Sequence, residues 1–138
     1  MIGIIVVAHE NIGKEMVEAT RRIIPEADHL VSVSVRSKQT PASIREEVEE
    51  AMSSLPPHEG VLILTDMFGG TPTNICLAFL NQPQVEVISG LNLPMLIKLA
   101  SMRGKTLSFA ELVNFIQDYG QRNIVVASKV LVGKIDQI

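Results

Sequence analysis

The chain has 138 residues, 46% of them hydrophobic, with a formal net charge of -3 and a single cysteine. This length and hydrophobic content suit one folded domain with its own core and exclude a disordered chain. The negative charge provides no basic surface for nucleic acid, and no apolar run approaches the roughly 18 residues of a membrane-spanning helix. One cysteine excludes an internal disulfide, so we expect a cytoplasmic protein whose partners are proteins or small molecules.

The first half of the chain alternates between strand patterns and helix patterns. Three strands are predicted there, at residues 2–8, 30–35 and 60–66. The first and third are continuous apolar runs, which is typical of strands covered on both faces of a parallel sheet. Apolar residues at helical spacing predict a helix from Ile12 until Pro25. A second helix is predicted from the N-cap Thr40 to Leu55, with its glutamates facing solvent.

The second half continues this alternation. The predicted elements are a helix from Thr71, a strand at residues 85–89, a helix at residues 94–102, a helix up to Tyr119 and a strand at residues 124–132. Ser108 and Glu111 form a capping box before the helix that reaches Tyr119, and Gly120 is expected to stop that helix. Strands that alternate with helices predict a single α/β domain over residues 1–138, built on a parallel, doubly wound sheet.

In a flavodoxin-like sheet, with central strands in the order 2-1-3-4, a crevice forms beyond the carboxyl ends of strands 1 and 3. Strand 1 runs into His9 and strand 3 into Asp66. We therefore expect these two side chains to meet. A carboxylate that accepts a proton from one ring nitrogen fixes the histidine tautomer and leaves the other nitrogen free as a nucleophile.

The residues after Asp66 add features that suit a phosphoryl group. Gly69 and Gly70 let the backbone approach a ligand closely, and Thr71 at a helix N-terminus offers a hydroxyl and backbone N–H groups to an anion. The nucleotide-binding loops GxxxxGK[ST] and GxGxxG are absent, and no histidine or cysteine spacing calls for a metal. The sequence therefore predicts a phosphohistidine site without a metal or cofactor.

The two remaining histidines and the cysteine are predicted to be surface or core residues without a role in the site. His29 lies beside a strand start and His58 in a proline-rich loop, so both are predicted at the surface. Cys76 falls inside an apolar helix and is predicted to be a small core residue.

Three motifs occur in the chain in a fixed order. They are the first strand ending in His9, the segment LTDMFGGTPTN at residues 64–74 and the segment SGLNLPML at residues 89–96. In order and spacing they resemble the enzyme IIA domain of the mannose family (EIIA-Man) of the bacterial phosphoenolpyruvate-dependent sugar phosphotransferase system (PTS). The resemblance covers nearly the whole chain.

This resemblance implies a phosphocarrier, a phosphotransferase component of sugar transport. It implies that His9 takes a phosphoryl group from phospho-HPr and passes it to a IIB component, with Asp66 orienting the ring and Thr71 near the phosphoryl group. It also implies a homodimer in which a C-terminal strand, here residues 124–132, can be exchanged into the partner's sheet. Contact with the membrane is then indirect, through IIC and IID components.

Two features depart from the common family pattern. Glu10 follows the histidine where glycine is frequent, which adds negative charge beside the site. The sequence stops at Ile138 without the linker and IIB domain of some relatives, so the IIB component is expected on a separate chain. Neither site loop contains Lys or Arg, which suits a relay that must release the phosphoryl group again.

Three other functions are compared with this one. The phosphocarrier of dihydroxyacetone kinase resembles the wider fold family, but its loop usually carries Met-Gly-Ser after the aspartate, whereas this chain has Met67, Phe68 and Gly69. A regulatory phosphoprotein of an incomplete PTS would use the same histidine without moving a sugar. A hydrolase with His9 as base lacks a recognisable nucleophile and is the least favoured.

Overall fold

The computed structural model describes residues 1–56, 58–102 and 107–136. Within these ranges the strands are β1 Ile2–His9, β2 Leu30–Val35, β3 Gly60–Thr65 and β4 Val85–Ser89. The helices are α1 Ile12–Ile23, α2 Pro41–Ser54, α3 Thr71–Cys76, α4 Leu93–Ser101, α5 Phe109–Arg122 and α6 Ala127–Asp136, and a 3-10 helix, Leu77–Asn81, follows α3. None of the helices in the described ranges has the length and apolar content needed to cross a membrane.

The four strands form one parallel sheet in the order β2-β1-β3-β4. This confirms the predicted α/β fold and its strand order 2-1-3-4. β1 and β3 lie in the middle of the sheet, and every residue of β3 is buried. Their apolar runs are continuous because both faces of a central parallel strand are covered.

Helices cover both faces of the sheet. On one face α1, α4 and α5 pack around Leu96 and Ile116. On the other face α2, α3 and the 3-10 helix pack around Ile44 and Phe79. Cys76 is fully buried in this second core, as predicted, and burial raises the pKa of its thiol to about 12.

The C-terminal segment is a helix, and the prediction of a strand over residues 124–132 is wrong. α6 spans Ala127–Asp136, and residues 124–126 belong to neither a helix nor a strand. A strand needs a neighbour for its backbone hydrogen bonds, whereas a helix satisfies them within itself. In the described part of the chain the segment has no strand neighbour, and Ile124, Val125 and Val126 are left exposed.

Two predictions about single residues are also wrong. His29 is buried, with 3% exposure; it directly precedes β2, and its carbonyl accepts a hydrogen bond from the backbone N–H of Ile4 in β1. Gly120 does not stop α5, which continues to Arg122. Glycine is instead needed there for close packing of α5 on α4, since a Cβ at Gly120 would lie 2.5 Å from Sδ of Met95.

Candidate functional site

His9 and Asp66 meet at the carboxyl edge of the sheet. β1 and β3 are parallel neighbours in which Val7 pairs with Thr65, so His9 and Asp66 follow at the same edge. Asp66 Oδ2 lies 2.7 Å from Nδ1 of His9 and accepts a hydrogen bond of 3.0 Å from the His9 backbone N–H. Asp66 Oδ1 accepts a hydrogen bond of 3.0 Å from the backbone N–H of Met67. The carboxylate thus holds both the ring and the backbone of His9.

These contacts define the proton positions of the pair. Partial burial alone would raise the pKa of the Asp66 carboxyl, but hydrogen bonds from the His9 backbone and ring, with their electrostatic attraction, outweigh it and lower that pKa. An ionised carboxylate only accepts hydrogen bonds, so Nδ1 of a neutral His9 carries the proton. The lone pair of Nε2 is then free, on a side chain that is 39% exposed.

The two glycines shape the loop beside this ring. Gly69 has a φ of 87°, in the left-handed region that favours glycine. A Cβ at Gly70 would lie 3.2 Å from Cε1 and 3.7 Å from Nε2 of His9, so glycine keeps the space beside the nitrogen open. Thr71 follows at the start of α3 with its side chain exposed. The structure therefore brings the loop residues Gly69, Gly70 and Thr71 to the same edge of the sheet as the His9–Asp66 pair.

A cluster of two buried threonines and the half-buried Ser89, which the sequence reasoning missed, holds this loop in place. Thr73 Oγ1 donates to the carbonyl of Met67 at 2.7 Å and lies 2.5 Å from Thr65 Oγ1. Ser89 Oγ lies 2.7 Å from Thr65 Oγ1 and 3.0 Å from Thr73 Oγ1. The cluster joins the ends of β3 and β4 to the first turn of α3. Its signal in the sequence was a hydroxyl residue at the end of each of these two strands.

On the β2 side of His9 the structure pairs Glu10 with Arg36, a residue that the sequence reasoning missed. Glu10 has a φ of 51°, and its backbone N–H donates to the carbonyl of Val35 at 2.9 Å. Arg36, the residue after β2, donates from Nη1 to Glu10 Oε2 at 3.0 Å and from Nη2 to Asn11 Oδ1 at 2.9 Å. The loops after β1 and β3 contain no Lys or Arg, whereas Arg36 follows β2 directly. β2 also neighbours β1, so its carboxyl end lies at the same edge.

The ring of His9 does not line the cavity that lies beside β4. This cavity of about 500 Å³ runs along β4, and its lining includes Phe68, Ser89 and Asn92 but neither His9 nor Asp66. Among the residues that the structure describes, no three His, Cys, Asp or Glu side chains group together as a metal site. A partly exposed ring outside this cavity suits a reactant carried on the surface of another protein.

The fold and the site together define an α/β protein that presents an oriented, partly exposed histidine at the switch point of a doubly wound sheet. The family model described as the PTS system fructose IIA component (EIIA-man) matches residues 3–117. The chain belongs to this family of PTS EIIA proteins, which confirms the resemblance found in its motifs.

Individual relatives show how far the likeness extends. The PTS system fructose-specific EIIA component of Bacillus subtilis (strain 168) is 29% identical over 130 residues, covering 94% of this chain and 88% of that protein. The PTS system mannose-specific EIIAB component of Escherichia coli (strain K12) is 24% identical over 124 residues, covering 89% of this chain and 38% of that protein. The crystal structure of phosphotransferase system component EIIA from Streptococcus agalactiae has a TM-score of 0.83 at 26% identity, covering 94% of this chain and 99% of that chain. The structural likeness supports the same fold over nearly the whole chain.

Proposed function

We propose that this chain is a phosphocarrier of the sugar PTS, in which His9 accepts a phosphoryl group from phospho-HPr and passes it to a IIB component. The observation that carries the proposal is the hydrogen bond between Nδ1 of His9 and Asp66, which leaves the Nε2 lone pair free to act as a nucleophile on a side chain that is 39% exposed. The names of the relatives, all EIIA or EIIAB components of sugar systems, support the same class of reaction.

Transfer at this site forms one P–N bond and breaks another. The Nε2 lone pair of His9 attacks the phosphorus of phospho-HPr, and the electron pair of the broken P–N bond returns to the HPr imidazole. Nδ1 keeps its proton, so the phosphorylated ring carries a positive charge that the Asp66 carboxylate offsets. In the next step a IIB nucleophile attacks the phosphorus, and the electron pair returns to Nε2.

The loop after Asp66 is proposed to receive the phosphoryl oxygens. Gly70 leaves room beside Nε2, Gly69 supplies the turn, and Thr71 offers a hydroxyl and backbone N–H at the start of α3. The phosphoryl group arrives already activated as a P–N bond and is attacked by a side chain of each successive protein, so the site has mainly to position donor and acceptor in line. The reaction needs no cofactor.

We further propose that residues 1–138 form one EIIA domain that works in the cytoplasm as a homodimer. Among the described strands, β4 has no partner on its outer side, and the exposed Ile124 lines the cavity beside β4. A second copy of the chain would cover this apolar surface. The membrane is reached only through IIC and IID components, so the carrier itself need not contact the sugar.

The proposal is tested by incubating the protein with labelled phosphoenolpyruvate, enzyme I and HPr. We expect acid-labile, alkali-stable label on the wild type and none on His9→Ala. His58→Ala is the matched control, because His58 is exposed but lies in the loop before β3, at the opposite end of the strand from Asp66. Label that persists in His9→Ala would overturn the assignment.

A chase with a IIB component separates transport from regulation. Loss of label from the protein with its appearance on IIB is the expected result. Label that stays on His9 in the presence of each IIB protein encoded beside the gene would instead favour a purely regulatory phosphoprotein.

A further inference from the structure

The residue next to the proposed nucleophile is an acid, and the structure gives it a basic partner. A phosphoryl group on His9 adds almost two negative charges beside the carboxylate of Glu10. An unpaired carboxylate at that position would repel the incoming group. The guanidinium of Arg36 contacts Glu10 and Asn11 together, and these are the two residues that directly follow His9.

Arg36 is itself held in place by its surroundings. Its backbone N–H donates to Gln39 Oε1 at 2.7 Å, and its carbonyl accepts from the Gln39 backbone N–H at 3.1 Å. Gln39 Nε2 in turn donates to Glu47 Oε2 of α2 at 2.9 Å. These hydrogen bonds hold the turn between β2 and α2 in place and so fix the position of Arg36, which carries the guanidinium.

The pair of Arg36 and Glu10 contributes little to the stability of the fold. The Arg36 and Glu10 side chains are 52% and 58% exposed, and ion pairs of such exposure contribute almost nothing to the free energy of unfolding. Glu10 also holds a left-handed backbone conformation that glycine would adopt more easily. A role beyond folding accounts better for the pairing of Glu10 with Arg36 at the carboxyl edge of the sheet.

We propose that Arg36 is a positioning residue for phosphoryl transfer, which holds the Glu10 carboxylate on the β2 side of the loop and compensates its charge. This inference rests on the proposed phosphocarrier function. The compensation makes an acidic neighbour compatible with a dianionic phosphoryl group on Nε2 of His9. It also fixes the turn that joins His9 to α1, because Arg36 contacts Asn11 as well.

The test measures the equilibrium of phosphoryl exchange between phospho-HPr and the protein. Arg36→Gln is expected to lower the equilibrium constant roughly three- to tenfold at low ionic strength, the effect that Coulomb's law gives for a dianion and a carboxylate several ångströms apart in water. The effect should shrink at 1 M salt, where charges are screened within about 3 Å. Arg36→Lys keeps the charge and is expected to recover most of the loss.

The double variant decides whether Arg36 acts through Glu10. Removing the carboxylate as well, in Arg36→Gln/Glu10→Gln, should return the equilibrium constant to within about twofold of the wild type, since coupled residues show non-additive effects. If the double variant is as impaired as Arg36→Gln, or if Arg36→Gln matches the wild type, the inference is wrong. A change only in the KM for HPr, with the equilibrium constant intact, would likewise overturn it by indicating a docking contact.

Two controls keep the result interpretable. Arg45→Gln removes an arginine of similar exposure, paired with Glu49 at 3.5 Å on α2, and should leave the equilibrium constant unchanged. Thermal unfolding of each variant should match the wild type because the altered side chains are half exposed. A wild type that takes up no label contradicts the proposed function itself, whereas a labelled wild type with an unaffected Arg36→Gln contradicts only this inference.

Discussion

A single oxygen of Asp66, Oδ2, accepts hydrogen bonds from both the ring and the backbone of His9. The ring therefore cannot turn relative to its own main chain without breaking one of the two bonds. This arrangement fixes the direction of Nε2, which in the proposed transfer would lower the entropy that must be lost when donor and acceptor align.

We predict that Asp66→Asn slows transfer from phospho-HPr by about ten- to a hundredfold. The amide keeps the size of the side chain but loses a charge-assisted hydrogen bond worth about 1.5–3 kcal/mol, and it no longer offsets the positive phosphorylated ring. Rapid-quench measurement of label on His9 gives the rate. Wild-type kinetics in this variant would remove Asp66 from the mechanism.

The same variant also tests the lowered pKa of Asp66. Because the folded-state pKa lies below the ordinary value of 3.8, the carboxylate stabilises the fold fully above that value. This stabilisation is lost as the pH falls through the lower folded-state pKa. Denaturation curves between neutral pH and pH 2 should therefore show a shallower acid loss of stability for Asp66→Asn than for the wild type.

At the scale of elements, the hydroxyl cluster of Thr65, Thr73 and Ser89 connects the site loop to β3, β4 and α3. We predict that Thr73→Val lowers the free energy of unfolding by about 1–3 kcal/mol, because the Met67 carbonyl and a buried hydroxyl lose a partner. Chemical denaturation measures the change. Thr71→Val is the matched control, since Thr71 is exposed and its replacement should leave stability unchanged while slowing transfer.

The elements also show which features a sequence can predict. The long apolar runs of β1 and β3 identified the central strands. The rule that sites form where strand order reverses then predicted that His9 lies beside Asp66. Thr73 and Arg36 were missed because their contacts depend on side-chain directions, which hydrophobic spacing does not give. The prediction of a strand at residues 124–132 was wrong because β-branched composition indicates a preference for strand conformation. It does not indicate whether a sheet edge is available to the segment.

At the scale of the whole molecule, the unpartnered edge of β4 and the exposed apolar residues of the C-terminal segment bear on assembly. We predict a mass of about 30 kDa by light scattering, twice the 15.1 kDa of the chain. Val125→Asp should shift this mass toward the monomer, because Val125 is 63% exposed and would face the second copy. Ile23→Asp, at an exposed position at the end of α1, should leave the mass unchanged.

A wild type that scatters only as a monomer at working concentration would contradict the proposed assembly. So would a dimer that survives Val125→Asp but dissociates with Ile23→Asp. Neither result would affect the proposed role of His9, which is measured independently by the label.

The burial of Cys76 has a practical consequence for experiments on this molecule. With a thiol pKa of about 12 and no exposed surface, Cys76 forms almost no thiolate at neutral pH and should not react with maleimide dyes. The natural chain can therefore serve directly as the unlabelled background for fluorescence work. In an Ile23→Cys variant the exposed end of α1, away from the proposed dimer surface, becomes the sole dye attachment point, so energy transfer between two labelled copies can follow their separation in solution.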